Sequence, residues 1–201
     1  MKNYKVYKNV KLGKNCQIGD FVIIGLPPAG KKNGELRTSI GDNAIIRSHT
    51  VIYAGNVIGV DFQAGHHVLI REENKIGEKV SIGTNTVVEH HIRIGNGVRT
   101  QSSCFIPEYS TLEDGVWLGP NVVLTNARYP RSKNVKKNLS GPVLKQNAKL
   151  GANVTVLPGV NIGENVLIGA AALVTKDIPA GAVAYGAPAA VKKKLKNLKE
   201  Y

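Results

Sequence analysis

The chain of 201 residues sets 27 Lys and Arg against 14 Asp and Glu, a net charge of +13. Two cysteines, 22 glycines and 5% aromatic residues argue against a disulfide-stapled scaffold or an aromatic-rich core. The basic charge comes without zinc-finger spacing, an aromatic RNP stretch or a helix-turn-helix pattern, so it points away from nucleic acid and toward phosphate-bearing small molecules or a solvated lysine surface.

Met1 to Lys5 has no apolar leader core and no span approaches membrane length, so a cytoplasmic chain without membrane contact is expected. Val6, Leu12, Ile18 and Ile24 already lead six-residue units, with Gly13, Gly19 and Gly25 behind three of them. A Pro/Gly-rich loop across 26–39 interrupts the order. From Ile40 to Leu124 fifteen units follow without a break, and thirteen of their leaders are Ile, Val or Leu. No helix or ordinary strand has a period of six, and the reading is a β-helix. Cys16 and Cys104 fall at the inward fifth position, as small hydrophobes in a reducing compartment.

In triangular β-helices of this period three hexads make a turn of 18 residues, so residues 18 apart are stacked. The rule puts His49 over His67, and Asn56 over Asn74 as an internal amide ladder. A second break covers 126–149, with the repeat expected to return at Leu150. It holds Arg128, Arg131, Lys133, Lys136 and Lys137 beside Tyr129. A long loop inside a solenoid reads as an arm that covers substrate or cofactor. Ile168 to Leu173 presents a small-sided face where a ligand can approach the backbone. Val191, Leu195 and Leu198, spaced as on a helix, predict a short basic amphipathic helix over 190–201. One domain, 1–189, with this tail is the expected organisation.

Glu89-His90-His91 and Glu108 are the candidates for proton handling, since imidazole is the usual acceptor near neutral pH. The 18-residue rule stacks Glu108 one coil from His90. Gln101 and Ser102, in the following hexads, are weaker candidates for substrate binding.

The Ile/Leu/Val-Gly-x-x-small unit resembles that of the hexapeptide-repeat acyltransferases, over about residues 6 to 189. Ile162-Gly163-Glu164-Asn165-Val166-Leu167-Ile168-Gly169-Ala170 and the closing Tyr185-Gly186-Ala187-Pro188-Ala189 are similar to that family's last coils. Leu112-Glu113-Asp114-Gly115-Val116-Trp117-Leu118-Gly119, with Asn126 and Tyr129-Pro130-Arg131, resembles the N-acetyltransferases of nucleotide-linked amino sugars in surface-polysaccharide synthesis. The resemblance implies an all-β, left-handed parallel β-helix and a homotrimer with sites between subunits. It implies acetyl-CoA as co-substrate, a UDP- or dTDP-linked amino sugar as acceptor, and no metal. Asn126, Arg128, Tyr129 and Arg131 would contact sugar or phosphate; Gly151, Gly169, Ala170, Lys176 and Lys192 would line the coenzyme path. Related sequences often carry His where Ser103 stands and Asp where Ala127 stands. O-acetylation of a sugar or other small acceptor is the alternative. A gamma-class carbonic anhydrase using His49, His66 and His67 is a more distant one, because that class has two ligand histidines five apart.

Overall fold

Each hexad folds alike because its six positions meet different surroundings. In the unit from Val88 to Arg93, Val88 and Ile92 point inward and are buried, Glu89, His90 and His91 turn a corner, and Arg93 faces out. Burying an Ile or Val leader is worth about 1.5–3 kcal/mol, and nearly every coil supplies three. The fourth position of every hexad from Asn43 to Asn121 has positive φ, His91 at 57° and Lys79 at 55° included. Since all corners share it, this conformation at His91 belongs to the coil geometry. The second-position glycines answer to coil spacing: a Cβ on Gly41 would stand 2.6 Å from the Val60 nitrogen of the next coil.

The computed structural model describes residues 3–198, which wind into a left-handed parallel β-helix with three faces. Face A is built from strands such as Val51–Tyr53, Leu69–Ile70, Val87–Val88 and Phe105–Ile106. Face B includes Lys75–Ile76, Arg93–Ile94 and Thr111–Leu112. Face C includes Arg99–Thr100, Trp117–Leu118 and Lys149–Leu150. Uninterrupted neighbours pair 18 residues apart, as Leu69 with Val87. The solvent-facing column of face A reads Lys5, Ile23, Val51, Leu69, Val87, Phe105, Val123, Thr155, Leu173.

Both loops leave from the edge between faces A and B. Val10 pairs with Thr38 and Thr111 with Val143, so separations of 28 and 32 replace 18 and the loops add ten and fourteen residues. The first is tied down by Lys31–Glu35 at 2.6 Å and by Asn9 Nδ2 donating to the Gly34 carbonyl. The second is closed where the Ser140 amide donates to the Asn126 carbonyl at 2.9 Å. The ladder resumes at Val143–Leu144, earlier than the expected Leu150. Leu144 leads an ordinary hexad whose polar corner, Lys145-Gln146-Asn147, concealed it.

Two further expectations are corrected. Ala190–Lys194 is a strand antiparallel to Ala182–Tyr185, followed by a 3-10 turn at Leu195–Asn197. The last coil leaves an open edge of amides and carbonyls on face C, and the returning chain satisfies it. The helical spacing of Val191, Leu195 and Leu198 did not weigh that demand; residues 199–201 of the expected helix lie outside the described residues. Asn56 and Asn74 are fully buried, yet their amides do not bond each other. Both donate to the Arg71 carbonyl, at 2.7 and 2.8 Å, and Asn56 Oδ1 accepts from the Asn74 backbone. Corner backbone groups, deprived of ladder partners, claim the amides first. Both cysteines are free thiols, and burial raises that of Cys104. No helix among the described residues is long and apolar enough to cross a membrane.

Candidate functional site

The A–B edge stacks four corners between the two loops. Three columns run along it: Tyr53, Arg71, Glu89, Pro107; then Ala54, Glu72, His90, Glu108, Asn126; then Gly55, Glu73, His91, Tyr109. With coils about 4.8 Å apart, Arg71 reaches Glu89, His90 reaches Glu108, Glu108 reaches Asn126 and Glu73 faces His91.

Arg71 anchors the lower part. Its guanidinium gives two hydrogen bonds to Glu72, at 3.0 and 2.8 Å, and a third to Glu89 at 3.0 Å, and it lies 5.6 Å from the Tyr53 ring centre. Burial pushes the Glu72 carboxyl upward, but the Arg71 hydrogen bonds, its own backbone amide and the charge of Arg71 outweigh it and hold it below the usual range. Hydrogen bonding to Glu72 likewise raises Arg71.

Above this anchor the imidazoles form a chain. His90 Nε2 lies 2.5 Å from Glu108 Oε1, His90 Nδ1 lies 2.7 Å from His91 Nδ1, and His91 Nε2 faces Glu73 at 3.5 Å. Asn126 Nδ2 donates to Glu108 Oε2 at 3.2 Å. Protons are assigned from the bonding pattern. A carboxylate at Glu108 only accepts, so His90 Nε2 donates. A neutral His90 ring then accepts at Nδ1, so His91 Nδ1 donates. The remaining bare nitrogen is His91 Nε2, on the more exposed of the two rings, with 48% of its side chain accessible against 20% for His90. Such a chain has the geometry an oriented base requires: Glu108 bonds His90, His90 bonds His91, and Glu73 faces the far nitrogen of His91.

The sequence-predicted residues divide between two edges. Glu89, His90, His91, Glu108 and Asn126 come together at the A–B edge, with Glu89 engaged by Arg71. Arg128, Tyr129 and Arg131 lie exposed in the second loop above the chain, and Tyr129 is 72% accessible. Gln101 and Ser102 turn the C–A edge, on the far side of face A, in line with Gly151, Gly169 and Ala170. Lys176 is exposed on the A–B edge, and Lys192 is on the returning strand, 5.7 Å from the Tyr185 ring centre. A Cβ on Gly151 would meet the Ala170 nitrogen at 2.6 Å, so coil packing by itself demands that glycine. Arg71, Glu73 and Tyr109 escaped the sequence reading, although each is 18 residues from Glu89 or His91.

His49 and His67 stack on the C–A edge, ring centres 4.7 Å apart and 17° from parallel. Among the described residues the His/Cys/Asp/Glu set with metal-like spacing is Glu89, His90 and Glu108. Its members are already bonded to Arg71, His91 and each other.

Residues 141–176 match the family model for the bacterial transferase hexapeptide, described as six repeats. Over 84 residues the chain is 46% identical to a galactoside O-acetyltransferase of Lactococcus lactis, a match spanning 40% of this chain and 41% of that protein. Among solved structures it resembles LpxA, a UDP-N-acetylglucosamine acyltransferase from Bacteroides fragilis, at TM-score 0.64 and 18% identity, over 96% of this chain and 74% of that one. A hexapeptide-repeat acetyltransferase from Vibrio cholerae, solved with acetyl coenzyme A, aligns at TM-score 0.50 and 20% identity over 69% and 73%. At such identities these structures speak for the fold.

Proposed function

As a chain of the hexapeptide-repeat transferase family with a built proton acceptor on one edge, this protein is, we propose, an acetyl-CoA-dependent acetyltransferase. The observation that carries the reading is the Glu108–His90–His91 chain, ending in a bare nitrogen between two loops. The donor is acetyl-CoA, as in the complex of the Vibrio cholerae neighbour.

The acceptor is the amino group of a nucleotide-linked amino sugar, held along the A–B edge under the basic second loop. The neutral amine attacks the thioester carbonyl. As the C–N bond forms, its proton passes to His91 Nε2; the C–S bond then breaks and the imidazolium returns the proton to the departing sulfur. Glu73, 3.5 Å away, steadies the imidazolium meanwhile. Arg128, Tyr129 and Arg131 line the approach for sugar and phosphate. Orienting the two reactants supplies the larger part of the acceleration.

The working unit is a homotrimer. Seven of the nine residues in the outward column of face A are apolar, without a break from Ile23 to Val123, and Phe105 and Val123 are each 37% exposed, a stripe unsuited to water. Three copies closing this face around a three-fold axis set the A–B edge of each beside the C–A edge of its neighbour. Gln101, Ser102 and Ala170 of one copy thereby join His91 of another, which accounts for the division of the site across face A.

A second reading, O-acetylation of a sugar hydroxyl, is favoured by the similarity to the Lactococcus lactis galactoside O-acetyltransferase. Thiol release from acetyl-CoA, measured with UDP- and dTDP-linked amino sugars and with galactosides, separates the two. The proposal expects turnover of an amino-sugar nucleotide. Turnover of galactosides alone would replace N- by O-transfer, and absence of thiol release together with absence of acetyl-CoA binding would end the transferase reading.

A further inference from the structure

Face B carries a charge arrangement that the proton chain does not use. Its outward column runs Lys11, Ser39, Val57, Lys75, Arg93, Thr111, Val143, Asn161. Lys75 and Arg93 are direct register partners on adjacent strands, and the column contains no acid. Like charges so placed repel across about 4.8 Å. Three cations of this chain are matched in ion pairs, in Lys31–Glu35, Arg71–Glu72 and Lys145–Glu113. Lys75 and Arg93 form no such pair among the described residues.

Two hollows meet at Val57 and Lys75. One, of about 350 Å³, is lined by Arg37 from the end of the first loop, Lys75, Val57, Gly55, Glu73 and His91. The other, of about 870 Å³, continues across Arg93, Asn96, Thr111 and Gln146. The acids that face them have other partners. Glu73 faces His91, Glu113 binds Lys145 at 2.7 Å, and Asp114 accepts from the Asn96 amide at 2.7 Å. Arg93 follows His91 by two residues, so their Cα atoms lie within about 7 Å of each other, and Lys75 and His91 line the same smaller hollow.

We propose that Lys75, Arg93 and Arg37 form the seat for the diphosphate of a nucleoside-diphosphate-linked acceptor. The seat deepens the transferase reading and rests on it for the acceptor class. Two adjacent phosphates carry the charge that the Lys75–Arg93 pair lacks, and the Arg37 fork closes on them from the loop side. The sugar then extends back over the edge to His91. The nucleoside continues along the larger hollow, where Asn96, Thr111 and Gln146 offer polar contacts. Coenzyme A also bears a diphosphate, and the test separates the two sources.

UDP is titrated calorimetrically into the full-length chain and into Lys75→Ala/Arg93→Ala. The seat predicts UDP binding to the unmodified chain, weakened about 10-fold for each cation removed, with acetyl-CoA affinity unchanged and UDP binding restored by the charge-keeping Lys75→Arg/Arg93→Lys. Because the double alanine variant relieves repulsion, its thermal midpoint should equal or exceed that of the unmodified chain, which guards against misfolding as the cause. Unchanged UDP affinity in the alanine variant, no UDP binding by the unmodified chain, or a matching loss of acetyl-CoA affinity would each overturn the proposal. Acetyl-CoA binding by the unmodified chain reports independently on the transferase reading.

Discussion

At His91 the difference between a base and a spectator is the position of one proton. The chain from Glu108 leaves His91 Nε2 bare only while Glu108 is an acceptor. Glu108→Gln reverses this: the amide NH2 donates to His90 Nε2, His90 Nδ1 donates to His91 Nδ1, and the remaining proton occupies His91 Nε2. We expect Glu108→Gln and His91→Ala each to lower kcat by about 10²–10⁴-fold, with acetyl-CoA binding and the thermal midpoint retained. Equal turnover in Glu108→Gln and unmodified enzyme would show that His90 does not orient the base.

Arg71 acts on stability. The folded Glu72 carboxyl is held below its ordinary range, so its contribution is fully present above the unfolded pKa and disappears as pH falls through the folded one. Arg71→Met removes it, leaving a buried carboxylate without its partner. The expected cost is about 1–2 kcal/mol near neutral pH, tempered because the Arg71 side chain is partly exposed. As the pH falls through the lowered range of the folded Glu72 carboxyl the difference should shrink; urea melts at neutral pH and over a descending acid series check it. His90 and Glu108 were legible from the sequence because the 18-residue rule was applied to a histidine. Arg71, Glu73 and Tyr109 answer to the same rule but look like ordinary turn residues until their stacked partners are considered.

The two loops are the elements that distinguish this edge from the other two. Ile24 and Leu124 both lead face A hexads, and Ile40 and Leu144 both lead face B hexads. The position of both insertions on one edge was therefore present in the hexad frame, and it was hidden because Leu144 went unrecognised as a leader. The coils were legible because burial repeats every six residues; the returning strand was not, because what forms it is an open sheet edge rather than its own side-chain pattern. Excising 127–140 leaves Thr125, Asn126, Gly141 and Pro142 as a four-residue corner of ordinary length, with glycine at the position that takes positive φ elsewhere. This variant should fold with its thermal midpoint little changed and bind acetyl-CoA, while kcat/KM for the acceptor drops more than about 10-fold through the lost covering arm. A midpoint collapse would instead make the loop a structural tie, and unchanged kcat/KM would remove it from the acceptor site.

At the scale of the whole molecule, the question is whether one chain contains a complete site. His91 and Ala170 turn opposite edges of face A, so a ligand touching both edges within one coil must cross the apolar column. In a closed trimer the same two edges meet between neighbours. Phe105→Asp, placing a charge in the middle of that column, should yield smaller species by light scattering and abolish turnover even though every site residue is intact. Complementation is the sharper test. His91→Ala destroys the A–B edge, and Ala170→Trp, at an exposed corner where a large side chain can be carried without entering the core, obstructs the C–A edge. Each variant alone should be inactive. Unfolded together in equal amounts and refolded, they form mixed trimers in which about one site in four unites two intact edges, and activity should return to that fraction. Separately refolded variants mixed afterwards should stay inactive until subunits exchange. If co-refolding restores nothing, both edges serve one site within one chain, and the trimeric arrangement proposed here is wrong.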